Sequence, residues 1–298
     1  MGEPANDLPE AAERRFSAGA FSSGLSVPDF AACLEMGLEP VGFVQGFCAM
    51  QWGWYGMSGY QRGMSPYGGT AGGYVENYQC PHGMRSVDHR SWGQNYQQPW
   101  VEKAWTDGFA SAYSRMLEEA TALGADGVVG VVDTFAHLSE EGVVEFHIHG
   151  TAVRVQDAPP TVLWPWTTYL AGQRLAKIFE AGYVPVCIVA AISSVRVWAY
   201  CVTEYLMSRG GVSAWSMDAE VTEIEQIVSA RTAAREIVRA HARGVVGGDA
   251  LHGVDLAIRE REFEQGDLEI ECLLRGNRLR RFKDFDPLPP PQPTVRLS

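Results

Sequence analysis

The spacing of hydrophobic and polar positions predicts five elements in the first half of the chain. A short amphipathic helix begins after Ser26, which can cap it, and an extended run follows at 41–52. A longer stretch at 101–123 has apolar residues near helical spacing, and alternating runs at 128–135 and 143–155 are typical of strands. The order helix, strand, helix, strand, strand indicates an α+β fold.

The second half predicts the same order. A helix is expected at 167–180, a strand from Tyr183, a long helix through 221–238, and strands at 250–259 and 268–281. The pattern therefore predicts a few strands and one long helix in each half.

Three blocks of sequence similarity connect the halves, and they occur in the same order in each. Residues 36–41 match 181–186, residues 124–131 match 247–254, and residues 145–154 match 271–280. We therefore predict a tandem repeat of one small α+β domain.

The predicted boundaries follow from composition. A disordered N-terminus at 1–18 precedes the first domain, and a proline-rich linker precedes the second. The segments are the first domain at 19–156, with a Gly- and aromatic-rich insert at 46–100, the linker at 157–165, the second domain at 166–284, and a Pro-rich tail at 285–298.

At three segments the chain resembles the bacterial YbjQ-like family, often labelled a heavy-metal-binding domain. These are residues 37–44, 113–131 and 149–154, whereas the second copy is degenerate around 241–253. The resemblance implies small two-layer (dodecin-like) domains, each a short antiparallel curved sheet backed by a long helix. It also implies a homo-oligomer, typically a five-fold ring, and carries over no set of metal ligands.

Composition and charge disfavour some classes of binding partner and some cellular locations. The formal net charge of −12 disfavours nucleic acid and anionic membranes. The N-terminus has no apolar signal segment, and six irregularly spaced cysteines favour a reducing, cytoplasmic location. The apolar run at 184–202 is broken by Pro185 and Arg196, and its counterpart in the first half is too polar for a span, so no membrane span is expected.

Two groups of residues can bind a divalent transition metal such as Zn²⁺, Cu²⁺ or Ni²⁺. His147 and His149 are two apart on a predicted strand and share a face, so His137 or a second subunit could complete the shell. The second group lies in the insert and comprises Cys80, His82 and His89. The plainer interpretation of the histidine pair is an exposed or interface position.

The insert is crowded with aromatic residues that can stack on a protein partner or order the loop. The residues singled out for this role are Trp52, Trp54, Tyr55, Tyr74 and Trp92.

Two further motifs favour structural interpretations. The glycines at 124–130 follow a helix and precede a strand, which is the reverse of a phosphate loop, so we expect a helix cap. The basic residues at 275–283 are expected on a solvated strand edge that discourages strand addition.

No GxSxG or HExxH motif is present, so the sequence does not indicate an enzyme. The leading hypothesis is a non-catalytic, ring-forming homo-oligomeric binding or scaffold protein. The first alternative is a protein that binds or senses a heavy metal, and the second is an enzyme with its site at a subunit interface.

Overall fold

The computed structural model describes residues 13–14, 19, 21–51, 95–137, 143–157, 164–197, 225–262 and 268–283. Within these residues the chain is α+β, with four helices and two four-stranded sheets. The predicted α+β class is therefore confirmed.

The first half contains two helices and four strands. In chain order they are α1 (Val27–Glu35), β1 (Leu38–Gln51), β2 (Asn95–Gln97), α2 (Pro99–Ala122), β3 (Gly127–His137) and β4 (Val143–Val155).

The second half has the same number of elements in a similar order. They are β5 (Trp166–Thr167), α3 (Gly172–Glu180), β6 (Tyr183–Val197), α4 (Glu225–Val246), β7 (Ala250–Glu262) and β8 (Leu268–Arg281).

Local sequence signals define the helix ends. The Ser26 side chain accepts a hydrogen bond from the Asp29 backbone N–H and caps α1, as predicted. Gly37 and Gly124 follow α1 and α2 with φ of 73° and 63°, a conformation that glycine adopts without strain. Gly124 thus ends helix α2, which confirms the expected cap.

The strand order is β1-β4-β3-β5 in sheet 1 and β2-β6-β8-β7 in sheet 2. Each half lends a short strand to the sheet of the other, because β2 pairs with β6 and β5 pairs with β3. The helix predicted from residue 167 begins instead at Gly172, since Trp166 and Thr167 hydrogen-bond with sheet 1 as a parallel strand.

Corresponding irregularities occur in the two sheets. The ladder shifts register between Pro40 and Gly42 in β1, and between Pro185 and Cys187 in β6. Shifts also occur where β3 and β7 pair with their central strands, at Val129–Val132 and His252–Asp255. In each of these two shifts a glycine with positive φ is present, Gly130 or Gly253.

The first core lies between the inner face of sheet 1, helix α2 and one face of sheet 2. Trp105 and Met116 of α2 pack there with Phe146 of sheet 1 and with Ile188 and Ile192 of sheet 2. Helix α2 therefore contacts both sheets.

Helix α4 covers the opposite face of sheet 2. Its buried stripe of Ala230, Ala234 and Val238 packs on strand residues such as Ile270 and Cys272. The apolar run near residue 184 forms strand β6, and no described helix is both long and apolar enough to cross a membrane.

Close approach of α2 to sheet 1 requires a glycine at position 46. A Cβ placed on Gly46 would lie 1.8 Å from the Ala112 carbonyl oxygen and 2.7 Å from the Met116 backbone nitrogen. Backbone atoms cannot move aside as a flexible side chain can, so the helix would have to shift.

We predict that Gly46→Ala lowers the free energy of unfolding by about 1–3 kcal/mol, because the added methyl overpacks the core. The matched control is Gly244→Ala in α4, where nothing lies within 4 Å of the added Cβ. This control should gain up to about 1 kcal/mol from better helix propensity. Urea denaturation measures both, and equal stability of the two variants would contradict the packing described.

Candidate functional site

Side chains alternate between the two faces of sheet 1, and those that point away from α2 form a surface that we call the open face. Phe47 and Val132 each expose 46% of their surface there. Grouped apolar exposure of this kind commonly marks an interaction site. The open face comprises Phe43, Gln45 and Phe47 of β1, Val132 and Thr134 of β3, and His147 and His149 of β4.

The structure brings His147 and His149 together at the centre of the open face, as the strand spacing predicted. Their ring centroids are 4.9 Å apart. The ring of His149 lies 5.3 Å from that of Phe43, and His147 Nε2 lies 3.4 Å from Gln45 Oε1. The pair is thus held between aromatic and amide neighbours, with each ring partly accessible.

Electrostatics favour the neutral form of His149. Burial lowers the pKa of His149, and the positive charge that His147 can carry lowers it further. Its Nδ1 atom is buried and has no hydrogen-bond partner among the described residues. An uncharged imidazole is the form of histidine that ligates metals.

Of the other predicted ligands, only His137 has a described backbone position, and this position lies away from the pair. His137 is the last residue of β3 and pairs with Val144, whereas His147 pairs with Thr134 three positions along the ladder. Three positions correspond to about 10 Å along a strand. Within the described residues, no group of three or more His, Cys, Asp or Glu side chains is arranged to hold a metal ion.

Cys80, His82 and His89 lie outside the described residues. The five aromatic residues predicted to meet a partner also lie outside them, namely Trp52, Trp54, Tyr55, Tyr74 and Trp92.

The face of sheet 2 that packs against the first half of the chain carries a set of polar contacts. We call this contact surface the seam. Arg275 Nε donates to Asp133 Oδ2 at 2.8 Å and joins the two sheets. Asn277 Oδ1 accepts from the hydroxyl of Thr168 and from the backbone N–H of Tyr169, both at 2.8 Å. Both interactions are shielded from solvent, which strengthens them.

The other end of the seam is built around Ser194 of β6. Its backbone N–H donates to Glu102 Oε1 of α2 at 3.2 Å. Its hydroxyl oxygen lies 2.8 Å from Gln98 Oε1 and 2.9 Å from Glu269 Oε1. Glu102 and Glu269 are almost fully buried, so their hydrogen bonds offset the cost of removing carboxyl groups from water.

Titratable groups along the seam have shifted pKa values. Burial raises the pKa of Glu271, the neighbouring Glu269 raises it further, and Arg261 and Arg259 oppose the shift. Burial raises the pKa of Tyr113 to about 12, although its hydroxyl lies 2.7 Å from Thr167 Oγ1. Tyr113 therefore remains protonated at neutral pH and can act as a structural hydrogen-bond donor.

The seam and the open face occupy corresponding positions in the two sheets. Arg275 holds the position in β8 that His149 holds in β4, and Leu273 holds that of His147. The face of sheet 2 is covered by the first half of the chain, whereas the corresponding face of sheet 1 retains exposed Phe47 and Val132.

The expectation of a solvated edge for the basic residues at 275–283 was wrong. Strand β8 is central, between β6 and β7, and Arg275 reaches across the seam. Arg278 and Arg280 bind Asp249 instead, and lower the pKa of that carboxyl. Alternating polar residues in β8 were the available signal, but they do not reveal a partner 142 residues away in the chain.

Comparison with known proteins gives two relatives. No protein-family model matches the chain, and no solved structure matches it significantly. It is 29% identical over 187 residues to an encapsulin nanocompartment protein of Mycobacterium tuberculosis, a match covering 61% of this chain and 59% of the relative.

The chain is also 47% identical over 51 residues to a UPF0145 protein of Halorubrum lacusprofundi, a match covering 17% of this chain and 48% of the relative. UPF0145 proteins are the YbjQ family, so this segment supports the YbjQ-like resemblance. The chain spans about three-fifths of the mycobacterial relative and about half of the haloarchaeal one.

Proposed function

We propose that this protein is a self-assembling, non-catalytic scaffold or binding protein built from two YbjQ-like units, the second degenerate. Three observations support the two units: the matched sequence blocks, the same order of long strands in both sheets, and the corresponding register shifts. The 51-residue similarity to a UPF0145 protein favours the family assignment.

The open face is the observation that carries the proposal. Phe43 and Phe47 occupy the positions in β1 that Ile188 and Ile192 occupy in β6. Ile192 is only 2% exposed because the first half of the chain covers it. The corresponding surface around Phe47 has no such cover among the described residues, so we propose that a second copy of the chain supplies it.

Such a contact is head-to-tail, because the second half of one chain would meet the first half of the next. Contacts of this type close into a ring when the rotation permits. A five-fold ring is the form that the YbjQ-like resemblance implies, and we include it in the proposal.

The mycobacterial relative is described as a nanocompartment protein, and we propose that this chain likewise serves within a larger protein assembly. A partner would meet the aromatic residues of the 46–100 insert, whose sequence is suited to stacking. The irregular cysteines favour a cytoplasmic setting for this role.

Metal binding is the second candidate function, and the histidine pair is the observation that favours it. Two imidazoles with centroids 4.9 Å apart supply two ligands, and His149 has an unpartnered Nδ1 and a lowered pKa. A residue of a second chain or of the insert would complete the shell for Zn²⁺, Cu²⁺ or Ni²⁺.

Phe47→Glu should convert the oligomer to monomers, because a buried, unpaired carboxylate costs several kcal/mol at an interface. The fold should be retained, since Phe47 is exposed in the single chain. Native mass spectrometry measures the change.

The matched control is Phe282→Glu, which places the same charge at another exposed phenylalanine, outside the open face. This control should assemble like the unmodified protein. An unmodified protein that is monomeric, or a Phe47→Glu variant that assembles normally, would contradict the proposal.

A second prediction concerns pH. The fold lowers the pKa of His149 from 6.5, so the unfolded chain binds more protons near that pH. The free energy of unfolding should therefore be fully retained above pH 6.5 and fall as the pH drops below it. Urea denaturation at pH 7.5 and 5.5 should show a smaller difference for His149→Asn than for the unmodified protein.

His241→Asn, at an exposed position of α4, controls for the loss of any one histidine. An unchanged pH dependence in His149→Asn would show that this residue is not held neutral by the fold.

A third prediction concerns metal. Titration calorimetry of untagged protein with Zn²⁺, Cu²⁺ or Ni²⁺ should show binding that His147→Ala/His149→Ala abolishes. Ligand at a hundredfold excess over its dissociation constant should stabilise the fold by about 2.7 kcal/mol. His241→Ala is the control, and equal binding by the double variant would exclude this site.

A further inference from the structure

We infer that Phe21 and Ser22 of one chain add as a parallel strand to the outer edge of β7 in the neighbouring chain. This inference rests on the proposed self-assembly and specifies one of its contacts. It follows from a strand addition that already occurs within the chain.

That internal addition is β5 on β3. Trp166 pairs with Gly127, and the Trp166 backbone N–H donates to the Asp126 carbonyl at 3.1 Å. The indole lies against Gly127, where an added Cβ would come within 2.2 Å of the ring. The N-terminal segment of the second unit thus completes the sheet of the first.

The residues after β5 are anchored by a specific set of hydrogen bonds. Asn277 Oδ1 accepts from the Thr168 hydroxyl and from the Tyr169 N–H, and the Leu170 N–H donates to Thr168 Oγ1 at 3.1 Å. These bonds fix the direction in which Trp166 and Thr167 leave towards β3.

An equivalent set of hydrogen bonds occurs just before helix α1. Ser23 Oγ lies 3.2 Å from Thr151 Oγ1, the Gly24 N–H donates to Thr151 Oγ1 at 3.0 Å, and the Leu25 N–H donates to Ser23 Oγ at 3.1 Å. Thr151 of β4 corresponds to Asn277 of β8, since both lie one residue beyond the matched glycines Gly150 and Gly276.

Phe21 and Ser22 therefore correspond to Trp166 and Thr167, but their surroundings differ. Thr167 is fully buried, whereas Ser22 is exposed. The ring of Phe21 lies against Phe30 of helix α1 in the same chain and remains 57% exposed. The residues that follow this segment are thus anchored as those after β5 are, but the segment itself is not covered as β5 is.

The complementary surface is the outer edge of β7. In the described residues β7 pairs with β8 alone and ends sheet 2. Ala250 corresponds to Gly127 and is exposed, and Val254 is 51% exposed where its counterpart Val131 is buried. A strand at this edge would cover Ala250 as Trp166 of β5 covers Gly127, and the residue after the strand would reach Val254 as Thr168 reaches Val131.

A double variant, Phe21→Cys/Ala250→Cys, tests the register in the full chain. Paired residues on neighbouring strands lie about 5 Å apart, within the Cα separation that a disulfide needs. Mild oxidation should link chains into covalent multimers on a non-reducing gel. The control Phe21→Cys/Asp255→Cys moves the second thiol about 16 Å along β7 and should remain unlinked. The single variants Phe21→Cys and Ala250→Cys show how much linking arises from the native cysteines.

Native mass spectrometry of the same samples separates the two proposals. If the protein is oligomeric but the double variant links no more than its control, the strand addition is wrong and the proposed self-assembly is retained. A monomer that does not link overturns both.

If the double variant does not fold, Phe21→Asp provides the test. It should raise the dissociation constant between chains at least about tenfold and leave the monomer folded, because the Phe21–Phe30 contact that it removes is largely exposed. The control Phe282→Asp should leave the dissociation constant unchanged, and so should Phe21→Asp if the strand addition is wrong.

Discussion

The structure depends on the burial of one face of sheet 2 beneath the first half of the chain. That contact removes Ile188, Ile192 and Leu273 from water, each worth about 1.5–3 kcal/mol. It also pairs Arg275 with Asp133, and removing one partner of such a shielded pair typically costs about 3–5 kcal/mol. The two halves are consequently coupled, because separating them would expose apolar strands and unpair charges together.

The same contact explains why, among the described residues, one surface remains uncovered. Each half presents one sheet face and one long helix, and in the part of the chain that the structure describes the helix of the first half covers the sheet face of the second half. The face of sheet 1 around Phe47 and His147 then has no corresponding helix over it within the described ranges. A polar residue accompanies this difference, since His147 occupies the position that Leu273 holds in sheet 2. We therefore propose that the open face combines assembly with ligand binding, whereas the seam joins the two halves.

Local signals made much of the fold predictable, and long-range contacts account for the rest. Ser26, Gly37 and Gly124 mark helix ends through their own backbone and capping preferences, so the sequence was sufficient there. Period-two spacing likewise placed the histidine pair on one face. Strands β2 and β5 have three and two residues, too few for any periodicity, and they form only because another sheet edge is available. The role of Arg275 was missed for a similar reason, because its partner Asp133 lies in the other half of the chain.

The central claim is that a second copy of the chain covers the open face, and an electron cryo-microscopy map of the full-length assembly tests it most directly. The account predicts that helix α4 of a neighbouring chain lies against Phe43 and Phe47, in the relation that α2 has to Ile188 and Ile192. A map in which these phenylalanines face solvent, or in which chains meet through another surface, would contradict it.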